Sequence, residues 1–212
     1  MSGRASPPVS GAVLAGGRSR RLGRDKRLVT VDGEPLLART VRVLATVTDD
    51  VTVVVADAEE RDLVVATVAP ALAPPRLRTV VDVAPDAGPV AGLAAALASA
   101  VHPWVLVVAT DHPALPDTVL ALLAGTARAT TAGRAVALEG PLGPEPLLAA
   151  YRRDAVAEVT RLLAAGTRRL VDVLAALDPI VLPRGVWAAA DPDGVALHDI
   201  DVPADLDGGA TD

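Results

Sequence analysis

Residues 104–110 read Trp-Val-Leu-Val-Val-Ala-Thr, and Asp111-His112-Pro113 follow directly. Apolar residues in an unbroken run, rich in Val and closed by a turn, describe a strand buried on both faces. Such a strand belongs to a parallel sheet covered by helices, and the rest of the chain repeats the pattern. Val9–Ala15 is another short apolar run, ending at Gly16-Gly17, and Val51–Ala56 (VTVVVA) and Leu77–Val83 are two more. Between them, Pro35–Val47 spaces Leu36, Leu37, Val41, Leu44 and Val47 at helical intervals behind an Asp32-Gly33 turn. Ala58–Val68 reads as a helix stopped by Pro70, Pro89–Ala100 as a small-residue helix, and Pro116–Leu123 as a further one. Later strands are expected at Ala135–Glu139, Leu147–Tyr151 and Val195–Asp201, with helices over Asp154–Ala165 and near Val171–Leu177. Strand alternating with helix predicts an α/β fold, three layers deep, around a mostly parallel, doubly wound sheet.

At 212 residues and 51% hydrophobic content, the chain can bury one full core. No internal repeat or interdomain linker is visible. The expected organisation is a flexible leader over residues 1–10, a single domain over 11–207 and a flexible tail over 208–212. Aromatic residues are only 1%, with no Phe, so Ala, Val and Leu must fill the interior. That scarcity of rings argues against a base-stacking nucleic-acid binder. No cysteine is present, which excludes disulfides, Cys-ligated zinc and thiol catalysis. No stretch approaches the roughly 18 to 20 apolar residues of a membrane span. Met1–Ser10 lacks the apolar run of a secretory signal, so a cytoplasmic protein is expected.

The net charge of −6 is unevenly spread: residues 1–45 hold nine cations against three anions, whereas residues 190–212 hold seven Asp and no Lys or Arg. A basic segment within an acidic chain suits a compact anionic ligand better than a long nucleic acid. The segment runs Leu14-Ala15-Gly16-Gly17-Arg18-Ser19-Arg20-Arg21-Leu22-Gly23-Arg24-Asp25-Lys26. Consecutive glycines after a strand let backbone N–H groups approach phosphate oxygens, and the cations behind them neutralise charge. Neither the Gly-Lys-Ser/Thr ending of a P-loop nor the Gly-x-Gly-x-x-Gly dinucleotide spacing is present. Lys26 is the only lysine in a chain whose other cations are arginines. A lone compact ammonium among planar guanidinium groups points to phosphate contact.

Two further segments, Asp82–Gly92 and Asp111-His112-Pro113, follow strands and are therefore expected with the glycine-rich segment at the same carboxyl edge of the sheet. Asp111, at the end of the strongest strand, is placed either to hold Mg²⁺ or to cap the next helix. Asp82 precedes Gly88-Pro89-Val90-Ala91-Gly92. A carboxylate there can accept from the N1–H and exocyclic amine of guanine, or serve only as a turn residue. Gly88 and Gly92 would let the helix start come close to a ligand. Asp199 and Asp201 fall on one face of the expected last strand, where one of them joins the metal site or both mark an acidic edge. His102, His112 and His198 are isolated and show no metal-ligand or Ser/His/Asp spacing.

The stretch LAGGRSRRLGRDK closely resembles the signature of the molybdenum cofactor guanylyltransferases. Gly88-Pro89-Val90-Ala91-Gly92, Asp111-x-Pro113, Glu145-Pro146-Leu147 before Tyr151, and Asp201-Val202-Pro203-Ala204-Asp205-Leu206 resemble later family landmarks in the right order. The resemblance spans roughly residues 11–207. It implies a Rossmann-like nucleotidyltransferase fold and an enzyme joining GMP from GTP to molybdenum-loaded molybdopterin, with release of pyrophosphate. It further implies that Leu14, Ala15, Gly16 and Gly17 cradle GTP, with Arg18 and Arg21 beside the phosphates and Lys26 touching them. Asp82 would then read guanine, Asp111 would bind both phosphate and Mg²⁺, and Asp201 would join the metal. Transient contacts with proteins that deliver or receive the cofactor are expected too. The sequence departs from the pattern at Thr110, Ala56-Asp57 and Val202. The alternatives are a nucleotidyltransferase of the same fold using CTP or another phosphorylated acceptor, and a nucleotide-binding regulatory protein without turnover. A dinucleotide-dependent oxidoreductase lacks its glycine spacing.

Overall fold

A computed structural model describes residues 7–15, 29–72, 76–82, 84, 87–110, 112 and 114–198. β1 (Ser10–Leu14) is buried at every position. β2 (Thr30–Val31) and β3 (Glu34–Pro35) pair as a hairpin. Asp32 and Gly33 at its corner both take positive φ (54° and 79°), as a type I′ turn requires of the Asp-Gly pair. α1 (Leu36–Val47) then buries Leu36, Leu37, Thr40, Val41 and Leu44, one face of a 3.6-residue repeat. β4 (Asp50–Val55), α2 (Ala58–Val68), β5 (Leu77–Val81), α3 (Pro89–Ser99), β6 (Trp104–Ala109) and α4 (Asp117–Ala129) follow in strict alternation. The second half is less regular: β7 (Ala135–Gly140) and β8 (Gly143–Arg152) form a hairpin, followed by α5 (Val156–Ala164), α6 (Leu170–Ala176), β9 (Pro179–Leu182) and the short α7 (Arg184–Trp187).

The central sheet has seven strands in the order β5-β4-β1-β6-β8-β7-β9. β1 pairs in parallel with β4 and β6, β4 with β5, and β7 with β9; β8 alone runs antiparallel to its neighbours. Alternation along the strands sends side chains into two cores. Leu106 and Val108 pack with Leu37, Val41, Val64, Leu120 and Trp187 on one face. Val105 and Val107 pack with Leu93, Leu97, Val159 and Val173 on the other. The chain leaves β1 towards β4 and β5, then returns to β6 on the opposite side of β1. β1 and β6 therefore flank the topological switch point, where open α/β sheets bind ligands beyond their carboxyl ends.

The amino edge carries a different cluster. Asp50, at the start of β4, accepts the Ser10 hydroxyl hydrogen at 2.8 Å and pairs with the Arg78 guanidinium. His102 Nε2 lies 3.5 Å from the same Asp50 oxygen, Oδ1, that accepts from Ser10, and the His102 backbone N–H donates to Ser10 Oγ at 3.3 Å. Ser10, Arg78 and His102 thus meet at one carboxylate. Ser10 is bonded to the Asp and not to the imidazole, so the group ties strands together and forms no nucleophile relay.

Two expectations need correction. Residues 195–198, expected to open the last strand, form a turn in which the His198 N–H donates to the Val195 carbonyl at 3.0 Å. The cause is Asp191, whose buried carboxylate accepts the Val195 and Ala196 N–H groups and draws the backbone inward. The outer strand is instead β9, which pairs with β7 through Pro179–Leu182. Its prolines at both borders mark an edge position that apolar periodicity alone does not reveal. Ser10, expected in the leader, is the first residue of β1, and Val9 before it is fully buried.

Candidate active site

Leu14 closes β1 with Val54 on one side and Ala109 on the other. The Ala15 N–H carries the pairing one step further, donating to the Val54 carbonyl at 2.9 Å. Ala15, directly ahead of Gly16-Gly17 in the chain, therefore sits between the carboxyl ends of β4 and β6. Beside it, Asp82 leaves β5 with its N–H donating to the Val55 carbonyl at 2.8 Å. Asp82 Oδ1 accepts the Ala84 N–H at 2.8 Å. Its Oδ2 faces the first turn of α3, 3.9 Å from where a Cβ on Gly92 would stand, with the Leu14 Cδ atoms at 3.7 and 3.8 Å from the same point. Leu14, Asp82 and Gly92, from three elements far apart in sequence, thus border one small space. Burial pushes the Asp82 carboxyl above its ordinary range, and the Ala84 hydrogen bond counters this in part.

Gly88 precedes Pro89 at the head of α3 with φ 78° and ψ −168°, a backbone state essentially confined to glycine. Among the described residues no side chain caps that helix start, and the Ala91 N–H donates to the Gly88 carbonyl at 3.2 Å. At the end of β6, Thr110 is buried and His112 half-buried, and Leu115 anchors the turn into α4. Of the residues expected to act, Leu14, Ala15 and Asp82 are brought together at this edge. Gly16, Gly17, Arg18, Arg21, Lys26, Asp111 and Asp201 lie outside the described residues, as does Asp199. Among the described residues no cluster of His, Asp and Glu can hold a metal ion.

One arrangement near this edge escaped the sequence reading. The β7–β8 hairpin projects past the carboxyl end of β6, and Glu139 there accepts the Arg184 N–H at 3.0 Å through Oε2. The Glu139 carbonyl accepts Trp187 Nε1–H at 3.2 Å, and the Arg184 guanidinium lies 4.0 Å over the Trp187 ring. The signal was available only as two Trp residues in a chain almost without rings, and Trp187 is one of them.

Residues 11–180 match the model of the MobA-like NTP transferase domain. The chain belongs to that family. It is 37% identical to the probable molybdenum cofactor guanylyltransferase of Chloroflexus aggregans, over 93% of this chain and 91% of that one. The probable molybdenum cofactor guanylyltransferase of Opitutus terrae is 39% identical over 84% and 82% of the two chains. The solved structure of molybdopterin-guanine dinucleotide biosynthesis protein A from Archaeoglobus fulgidus superposes with a TM-score of 0.76 at 26% identity, covering 94% of this chain and 95% of that chain. The chain is thus a nucleotidyltransferase, and the mostly parallel α/β architecture agrees with that neighbour.

Proposed function

We propose that the enzyme transfers GMP from GTP to the terminal phosphate of molybdenum-loaded molybdopterin. The observation that carries the reading is the space bordered by Leu14, Asp82 and Gly92 at the foot of the glycine-rich loop. Guanine offers two adjacent donors, N1–H and the 2-amino group, to a carboxylate held in one orientation. Asp82 is held so, by the Ala84 N–H, and glycine at 92 keeps a side chain out of the space beside it.

An acceptor phosphate oxygen attacks the α-phosphorus, the bond to the bridging β-oxygen breaks, and pyrophosphate leaves. Such a displacement asks little covalent chemistry of the protein; it asks for alignment and charge neutralisation. The Gly16 and Gly17 amides and Lys26 hold the triphosphate, and Arg18 and Arg21 stand beside it. Asp111 and Asp201 are hard oxygen donors suited to Mg²⁺, which when bound neutralises phosphate charge. Among the described residues no helix is long and apolar enough to cross a membrane, and use of the GTP pool fits a cytoplasmic enzyme.

The test is pyrophosphate release with each of the four NTPs and Mg²⁺, with and without molybdopterin. Release that needs both GTP and the acceptor is expected. Release with CTP instead would keep the chemistry and reassign the base; binding without release would favour a regulatory protein. Asp82→Ala should lower kcat/KM for GTP about 10- to 100-fold, the cost of a lost charged hydrogen-bond pair, while leaving other NTPs unaffected. Unchanged selectivity would remove Asp82 from base recognition.

A further inference from the structure

The hairpin tip, α7 and the 191–198 turn enclose a cavity of about 440 Å³, lined by Glu139, Gly140, Arg184, Gly194, Leu197 and His198. Its size falls within the range of small-molecule sites. Its walls are fixed from several sides. Arg184 is stacked on the fully buried Trp187, which removes much of the freedom a surface arginine has. Among the described residues its guanidinium makes no hydrogen bond, and the nearest carboxylate, Asp191, stands 3.9 Å away. Asp191 is itself committed to the Val195 and Ala196 N–H groups. Glu139 uses one oxygen to accept the Arg184 N–H, and among the described residues its other oxygen has no partner. An oriented guanidinium and an oriented carboxylate oxygen therefore line one cavity, beside the apolar side chain of Leu197.

We propose that this cavity binds the 2-amino-4-oxopyrimidine end of the pterin acceptor. That ring edge presents a carbonyl oxygen, a ring N–H and an exocyclic amine in sequence. Arg184 donates to the carbonyl, and Glu139 accepts from the two nitrogen donors. Leu197 packs on the ring face. The placement suits the reaction. β7 lies three strands from β1, about 14 Å at the usual strand spacing, a reach comparable with a fused pterin and its phosphate arm. Thr118, in the first turn of the helix after Asp111, donates to the Ala190 carbonyl at 2.6 Å, so the cavity wall is tied to the same edge. The assignment rests on the proposed reaction for its biological meaning, but the binding itself does not.

The same ring edge occurs in guanine, so the experiment separates the two sources. Titration with 6-carboxypterin in the absence of GTP measures the cavity directly, and GMP is the competing probe. Glu139→Gln keeps an oxygen for the Arg184 N–H and turns an amide donor towards the ring donors. It should weaken 6-carboxypterin binding and raise the acceptor KM about tenfold or more, with the KM for GTP within twofold of the parent. Arg184→Gln should do the same with the fold intact by circular dichroism. Unchanged acceptor KM and pterin affinity in a folded Glu139→Gln protein would overturn the proposal. So would GMP displacing the pterin at equal affinity, which would assign the cavity to a second nucleotide. Pterin binding that depends on Glu139 in a protein without GTP-dependent pyrophosphate release would uphold the cavity and sink the guanylyl reading alone.

Discussion

A methyl group on Gly92 would meet Leu14 Cδ2 at 3.7 Å and Asp82 Oδ2 at 3.9 Å, ordinary contact distances. The free protein can accept it, and alanine in a helix is favoured over glycine by roughly 0.8–1 kcal/mol. The same methyl occupies the space assigned to the nucleotide. Gly92→Ala is therefore expected to raise Tm while raising the KM for GTP several-fold, measured by thermal unfolding and steady-state kinetics. A gain in stability with unchanged KM would move the nucleotide elsewhere. Asp82 beside it poses the converse problem. Its folded pKa lies above its unfolded one because burial disfavours the charge. Its contribution to stability is then fully present below the unfolded pKa and is lost as pH rises through the folded one. Asp82→Asn removes that loss. At neutral pH the apo variant should melt no lower than the parent, with any gain shrinking as pH falls through the Asp82 pKa. GTP selectivity should disappear over the whole range.

At the scale of elements, the amino edge of the sheet is fastened by Asp50, which draws on β1, β5 and the approach to β6 through Ser10, Arg78 and His102. Deleting the carboxylate strands a half-buried guanidinium, and breaking such a pair costs about 2–3 kcal/mol after allowing for partial exposure. Asp50→Ala should lower the urea midpoint with little change in m, and leave kcat intact because the proposed catalytic edge is at the other end of the strands. A fall in kcat matching the fall in stability would mean that the two edges are coupled. The elements themselves were legible to different degrees. β1, β4 and β6 could be read because each is a run buried at every position, and β5, half-buried at the sheet edge, because Val80-Val81 close an extended run after the Pro74-Pro75 break. β9 could not, since Pro179-Ile180-Val181-Leu182 is short and sits at an edge. The 195–198 turn was misread because alternation of apolar and polar residues imitates a strand wherever a buried carboxylate such as Asp191 bends the backbone instead. The reversed direction of β8 was equally hidden, because direction depends on the Gly140–Gly143 corner and not on the strand's own residues.

At the scale of the whole molecule, the sequence writes candidate chemistry in residue type, as the double glycine Gly16-Gly17, the single Lys26 and Asp111 after a strand, and all of these lie outside the described residues. The meeting of Leu14, Asp82 and Gly92 was not readable, because they come together only when β1, β5 and α3 are docked. The Glu139–Arg184 pair, 45 residues apart in the chain, needed the fold as well. A site assembled this way has a thermodynamic consequence. A nucleotide that bridges three elements binds the folded chain and not the unfolded one, so binding free energy becomes folding free energy. At a hundred times its Kd, a ligand adds about 2.7 kcal/mol. A domain of this length gains about 2–4 °C in Tm per kcal/mol, so GTP with Mg²⁺ should raise Tm by about 5–10 °C. CTP and UTP at the same concentration should give much less, since they cannot engage Asp82 through the same donor pair. Chelating the metal, or replacing Lys26 with Ala, should shrink the shift without lowering the apo Tm, because both act on the bound triphosphate. Gly92→Ala should start from a higher Tm and shift less. Equal shifts with all four NTPs would leave phosphate binding in place and show that base selection lies away from the space between Leu14, Asp82 and Gly92.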